Sequence, residues 1–148
     1  MATRLYGCIT EYGIDPSIRS KLYKHNRKVL NGLPQIDQWP PLTRNMFAIT
    51  HNVKEPSPSY DYMGRLIHFG ANFKSVEHEW EEWKAKFEKL LTRLFWLEAD
   101  VHFKTEYADI QTFTWYVDLS RWSELDRKEL NPIQKHHWIH EGEIDWKK

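Results

Sequence analysis

The stretch from Val76 to Leu94 constrains the fold most strongly, because large apolar residues recur in it at every third or fourth position. That spacing places them on one face of an α-helix. Acidic residues crowd its N-terminal turns and basic residues its C-terminal turns, which suits the helix dipole. The sequence therefore predicts a long helix over 76–95, capped by Ser75, whose apolar face rich in Trp and Phe must be covered by another layer.

A second amphipathic helix is predicted after Asp15 and Pro16, which supply an N-cap acceptor and a proline at the first helical position. Apolar residues from Ile18 to Leu33 keep helical steps, and Gly32 marks the end of the helix. Other segments alternate apolar and polar residues, which is typical of strands with one buried face. The predicted strands are 4–12, 46–52, 65–73, 99–106 and 111–119.

The predicted element order is β-α-β-β-α-β-β. Its first six elements match the split βαβ, or ferredoxin-like, order, with one extra strand appended. Two helices on one face of a largely antiparallel sheet would bury both apolar stripes, which predicts a two-layer α+β sandwich. Residues 1–120 are expected to form a single domain, and residues 121–148 an irregular C-terminal extension that packs on it or trails from it.

Charge and hydropathy exclude several classes of partner. Lys plus Arg and Asp plus Glu number 21 each, so no net field favours nucleic acid or an anionic membrane. No apolar run approaches the roughly 18 residues that a membrane span requires, and the first residues lack the pattern of a signal peptide. Cys8 is the single cysteine and cannot form an internal disulfide. We therefore expect a cytosolic protein with no membrane or nucleic-acid partner.

The sequence contains no catalytic signature. It has no Gly-rich phosphate loop and no nucleophile-elbow pattern. His136, His137 and His140 stand close together, but they lack the Glu that a zinc hydrolase places between two histidines. No metal and no cofactor is predicted, and Cys8 is expected to be a buried small apolar residue.

The predicted partner-binding residues fall on the basic face of the first helix, on the polar face of the sheet and in a Pro-Ser loop between the second and third strands. The basic helix face contains no acidic residue, which suits an acidic or phosphate-bearing partner. The polar sheet face follows from strand alternation, and its alternative interpretation is a simple solvated face. These candidates are Arg19, Lys24 and Arg27 on the helix, His68, His102 and Tyr116 on the sheet, and Tyr60 and Tyr62 in the loop.

Aromatic residues make up 15% of the chain, and any surplus left on the surface would favour a protein interface. The chain is small, has no net charge and no catalytic motif, and is rich in Trp and Tyr. In this general character it resembles bacterial immunity proteins, which neutralise toxins by direct binding. That resemblance implies a protein-binding module with a toxin domain as its partner. The alternative is a small enzyme or ligand-binding domain that uses His68, His102 and nearby carboxylates.

Overall fold

The computed structural model describes residues 2–50, 65–106 and 109–142. Within these residues six strands form one antiparallel sheet, accompanied by three α-helices, so the predicted α+β class with an antiparallel sheet is confirmed. The strands are β1 (Ala2–Glu11), β2 (Phe47–Ile49), β3 (Leu66–Lys74), β4 (Trp96–Lys104), β5 (Gln111–Val117) and β6 (Trp138–Glu141). The helices are α1 (Arg19–Asn31), α2 (Trp80–Leu91) and α3 (Glu124–Glu129).

The sheet is organised around β1, which pairs with β3 on one side and β4 on the other. Its full strand order is β2-β3-β1-β4-β5-β6. In this register Cys8 lies opposite both His68 and Asp100. Side chains alternate along every strand, so the register with β1 determines which side chains of β3 and β4 lie on the same face of the sheet.

The core forms where α2 packs aromatic side chains on one face of the sheet. Trp83 and Phe87 are fully buried and stack with ring centroids 5.3 Å apart. The Phe87 ring also lies 5.1 Å from that of Trp115 on β5, and such aromatic pairs contribute about 0.5–1.5 kcal/mol beyond their buried area. The strands contribute a set of apolar side chains that alternate with polar ones, and all of this set is buried. They are Ile67, Phe69, Val101, Phe103, Phe113, Trp115 and Val117.

The start of the central helix differs from the prediction. A 3-10 turn over Val76–Glu79 precedes α2, and Ser75 has φ of 59°, in the left-handed region, with no capping hydrogen bond from its side chain. Contacts with β1 hold this turn, because Val76 is fully buried and Thr3 donates a hydrogen bond to the Glu77 carboxylate. These tertiary contacts override the local preference of serine for the N-cap.

The C-terminal part, residues 121–142, contains more regular structure than the sequence predicted. A capping box at Ser123 begins α3, and β6 adds a sixth strand at the edge of the sheet beside β5. Trp122 and Trp138 are buried and dock this segment on the body of the domain. Trp146, the third tryptophan of the C-terminal extension, lies outside the described residues.

We predict that Trp83→Ala or Phe87→Ala lowers the free energy of unfolding by about 3–5 kcal/mol, because each removes a fully buried ring and leaves a cavity. Urea denaturation of each variant measures this loss. Ile36→Ala is the control, since Ile36 is 91% exposed and its truncation should change stability by less than about 0.5 kcal/mol. Equal stability of all three variants would contradict the packing of α2.

Candidate functional site

A groove on the outer face of α1 gathers the basic residues of the first helix. Because helical residues spaced by four share a face, Arg19, Tyr23 and Arg27 stand in one row and Ser20 and Lys24 in the next. Pro16 lies at the N-terminal side of the groove. Arg65, which precedes β3, forms its floor. The groove has a volume of about 420 Å³. We call it the basic groove, and its lining residues are Pro16, Arg19, Ser20, Tyr23, Lys24, Arg27 and Arg65.

Arg65 is fixed in the floor of the basic groove by Tyr23. Its guanidinium carbon lies 4.3 Å from the centroid of the Tyr23 ring, in cation–π geometry. The Arg65 backbone N–H donates to the Tyr23 hydroxyl at 3.0 Å, and Nη2 donates to the Tyr23 carbonyl at 3.2 Å. These contacts join α1 to the residue that precedes β3, so the groove is built from two distant parts of the chain.

A buried carboxylate lies beneath this floor. Glu11, at the end of β1, is fully buried, and its Oε1 lies 2.5 Å from Nε of Arg65. Asn26 of α1 donates to Oε2 of Glu11 at 2.9 Å and accepts a hydrogen bond from the backbone N–H of Phe95. Glu11 therefore has both a counter-charge and an amide donor, as a buried carboxylate requires.

Among the described residues, the other cations of the basic groove make no ion pair. Within residues 2–50, 65–106 and 109–142, no carboxylate lies within ion-pair distance of Lys24 or Arg27. Nε of Arg19 donates to the carbonyl of Gly13 at 2.8 Å, which orients its guanidinium without neutralising it. The basic groove can therefore accept a carboxylate or another anion with charge-assisted hydrogen bonds.

The polar face of the sheet brings a thiol, a carboxylate and an imidazole into one cluster. The Cys8 thiol donates to the Asp100 carboxylate, with Sγ 3.7 Å from Oδ1. Nε2 of His102 lies 3.4 Å from the same Oδ1, and Nδ1 of His102 lies 3.0 Å from the Thr112 hydroxyl. The ring of His102 also lies 5.1 Å from that of Tyr6. His68 is exposed on the neighbouring β3, opposite Cys8.

This cluster lacks an activated nucleophile. Burial, followed by the nearby Asp100 carboxylate, raises the pKa of the Cys8 thiol from its ordinary value of 9.0 to about 11. The thiol therefore stays protonated near neutral pH, whereas nucleophilic attack requires the thiolate. Tyr116, also on this face, donates to Glu141 at 2.5 Å, and that hydrogen bond raises the pKa of the Tyr116 hydroxyl.

The C-terminal histidines do not share a face. His136 and His137 belong to a 3-10 turn, and His140 lies on β6 with its ring stacked 4.4 Å from that of Trp115. A helix would place His136 and His140, four residues apart, on one face, but this part of the described chain is not α-helical. Among the described residues, no group of three or more His, Cys, Asp or Glu side chains could hold a metal ion.

Some of the predicted partner-binding residues are close together and others are not. The basic groove unites Arg19, Lys24 and Arg27. The second set, His68, His102 and Tyr116, lies on strands of the sheet apart from this groove. The third set, Tyr60 and Tyr62, lies outside the described residues.

Sequence reasoning missed the network beneath the groove, although two positions signalled it. Glu11 continues the alternation of Leu5 and Ile9 and therefore falls on the buried side of β1. Asn26 lies four residues from Leu22, within the apolar stripe of α1. A polar residue at a core position needs a partner, but the sequence does not reveal which residue supplies it.

No protein-family model, no curated protein and no solved structure gives a significant match to this chain. In the described residues, no helix combines the length and the apolar character that crossing a membrane requires. The basic groove and the polar sheet face are therefore the features whose chemistry indicates a function.

We predict that Glu11→Gln lowers the free energy of unfolding by about 3–5 kcal/mol, because it leaves the Arg65 guanidinium buried without its counter-charge. Urea denaturation provides the measurement. Glu98→Gln, at an exposed position of β4, is the matched control and should change stability by less than about 0.5 kcal/mol. If both variants lose the same small amount, the ion pair does not support the fold.

We also predict that iodoacetamide alkylates Cys8 slowly at neutral pH and faster as the pH rises toward about 11. A pKa two units above the ordinary value lowers the thiolate fraction about a hundredfold. Asp100→Asn should speed the reaction, because it removes one of the causes that raise the pKa, whereas Asp118→Asn should not. Mass spectrometry of timed samples measures the rate, and rapid alkylation of the folded protein at neutral pH would contradict this assignment.

Proposed function

We propose that this chain is a protein-binding module, and that its basic groove captures an acidic segment of the partner. One observation carries the proposal, namely a groove of about 420 Å³ whose described lining has no carboxylate and four cations, of which only Arg65 makes an ion pair within the described residues. Cations that have no carboxylate partner can bind an anion through charge-assisted hydrogen bonds, and the helix backbone fixes the spacing of Arg19, Lys24 and Arg27. The single cysteine supports a cytosolic location, as expected from the sequence.

A protein partner suits this groove better than a nucleic acid does. The whole chain has a formal net charge of zero, so the positive potential is local and not a field that would attract a polyanion from a distance. Arg binds carboxylates through a planar fork of donors, and Arg and Tyr are enriched among the residues that dominate protein interfaces. The groove presents both residue types on one face of α1.

Toxin neutralisation is a more specific form of this proposal. A protein that occludes a toxin needs a rigid and complementary surface but no catalytic group of its own. The neutral composition and the ordered basic groove suit that task, with an acidic segment of a toxin domain as the partner.

The enzyme alternative has weaker support. It would use His68 and His102 with nearby carboxylates, but the neighbouring Cys8 thiol is protonated near neutral pH. Both ring nitrogens of His102 already have partners, since Nε2 lies 3.4 Å from the Asp100 carboxylate and Nδ1 lies 3.0 Å from the Thr112 hydroxyl.

We predict that a short fluorescent oligoglutamate peptide binds the wild-type protein and that added salt weakens the binding. The combined variant Arg19→Glu, Lys24→Glu and Arg27→Glu should bind the peptide at least about tenfold more weakly, because it replaces attraction by repulsion in the groove. Fluorescence anisotropy gives both dissociation constants. The melting temperatures should stay close to that of the wild type, since these side chains lie on the outer face of α1.

The matched control reverses three exposed cations elsewhere, Lys74→Glu, Lys89→Glu and Lys135→Glu, and gives the same change of net charge. It should retain binding. If the control loses as much affinity as the groove variant, the attraction is a general charge effect and the groove is not the site. Tighter binding of a single-stranded oligonucleotide at the same groove would contradict a protein partner.

A further inference from the structure

A second groove lies between the turn before α1 and the region of α3. It has a volume of about 540 Å³, and Tyr12, Ile14, Ile18 and Leu119 form its apolar lining. Ile14 is 41% exposed and Leu119 is 36% exposed, so two large aliphatic side chains meet water in one place. Clustered exposed apolar side chains typically mark an interaction site. We call this feature the apolar groove.

The walls of the apolar groove are ordered. Tyr12 is 5% exposed, and its ring packs edge-on against the fully buried Trp122 at 5.4 Å. The turn before α1 is held by Asp15, whose Oδ1 accepts hydrogen bonds from both the backbone N–H and the hydroxyl of Ser17. A binding segment would therefore meet a preformed surface, which lowers the entropy cost of docking.

The apolar groove and the basic groove lie on opposite sides of the same turn. Asp15, Ser17 and Ile18 line the apolar groove, whereas Pro16 and Arg19 line the basic groove. Residues adjacent in sequence thus contribute to both features. One extended or helical segment laid across the turn would reach both grooves.

Charge identifies the kind of segment that fits. The lining of the apolar groove contains two cations, Arg127 and Lys128, and two carboxylates, Asp15 and Glu124. These charges balance, whereas the described lining of the basic groove has four cations and no carboxylate. The two grooves together are therefore positive on one side of the turn, and apolar with balanced charge on the other. Such a surface complements an acidic segment that also has an aliphatic residue.

We propose that the apolar groove takes a large aliphatic side chain from the same acidic partner segment that the basic groove binds. This inference rests on the proposed function and specifies the partner further. The segment has a stretch of Asp or Glu followed or preceded by a Leu, Ile or Met anchor. The anchor supplies burial of apolar surface, and the carboxylates supply charge-assisted hydrogen bonds.

Two fluorescent oligoglutamate peptides, one with a single Leu and one with Ala in its place, test the proposal by anisotropy. The wild-type protein should bind the Leu peptide roughly tenfold more tightly, as expected for burial of one aliphatic side chain. In the variant Ile14→Ser with Leu119→Ser, this ratio should fall to about one, because the apolar lining is lost. The groove variant Arg19→Glu, Lys24→Glu and Arg27→Glu should weaken both peptides equally.

The control Ile36→Ser with Ile110→Ser changes two exposed aliphatic residues elsewhere and should keep the ratio of the wild type. The single variants Ile14→Ser and Leu119→Ser serve if the double variant melts at a markedly lower temperature. Equal binding of the two peptides by the wild type, or a ratio that survives in the serine variants, overturns the role of the apolar groove. In that case the proposed function stands if charge reversal at Arg19, Lys24 and Arg27 still weakens the binding of both peptides. If neither peptide binds the wild-type protein, both the proposed function and this inference are wrong.

Discussion

A carboxylate that loses its water must find donors and a counter-charge inside the protein, and Glu11 is in that position at the end of β1. Arg65 supplies the charge, and Asn26 supplies an amide donor while its Oδ1 accepts from the backbone N–H of Phe95. One network therefore joins β1, α1, the residue before β3 and the residue before β4. Its arginine forms the floor of the basic groove, so the geometry of the candidate site depends on this buried pair.

The aromatic core contributes apolar burial, which offsets the cost of burying the Glu11–Arg65 pair. Six of the eight Trp residues are buried, and among the described residues only Trp39 is largely exposed, at 48%. The indole N–H groups of Trp83, Trp96 and Trp122 each donate to a backbone carbonyl, so their burial leaves no unmet donor. The aromatic surplus of the sequence thus serves mainly the interior, and the proposed binding depends on the cations of α1 that make no ion pair within the described residues.

The two candidate surfaces differ in how far their polar groups are already satisfied. On the sheet face, His102 contacts Asp100 and Thr112, and the Tyr116 hydroxyl donates to a carboxylate. In the basic groove, Lys24 and Arg27 have no carboxylate partner within the described part of the chain. Groups that already satisfy one another have less to gain from a ligand than groups that do not, which favours α1 as the site of the proposed binding.

The sequence by itself determined whatever depends on local periodicity. The apolar face of α2, the alternation that buries Ile67 and Phe69, and the shared face of Arg19 and Arg27 all follow from repeats of about 3.6 or 2 residues. Only the tertiary structure decided the pairing of β6 with β5, the contact of Arg65 with α1 and the groove between the turn before α1 and the α3 region. These contacts join residues far apart in the chain. Which of them form depends on which buried polar groups find hydrogen-bond partners when the helices pack on the sheet. A local sequence pattern contains no information about those partners.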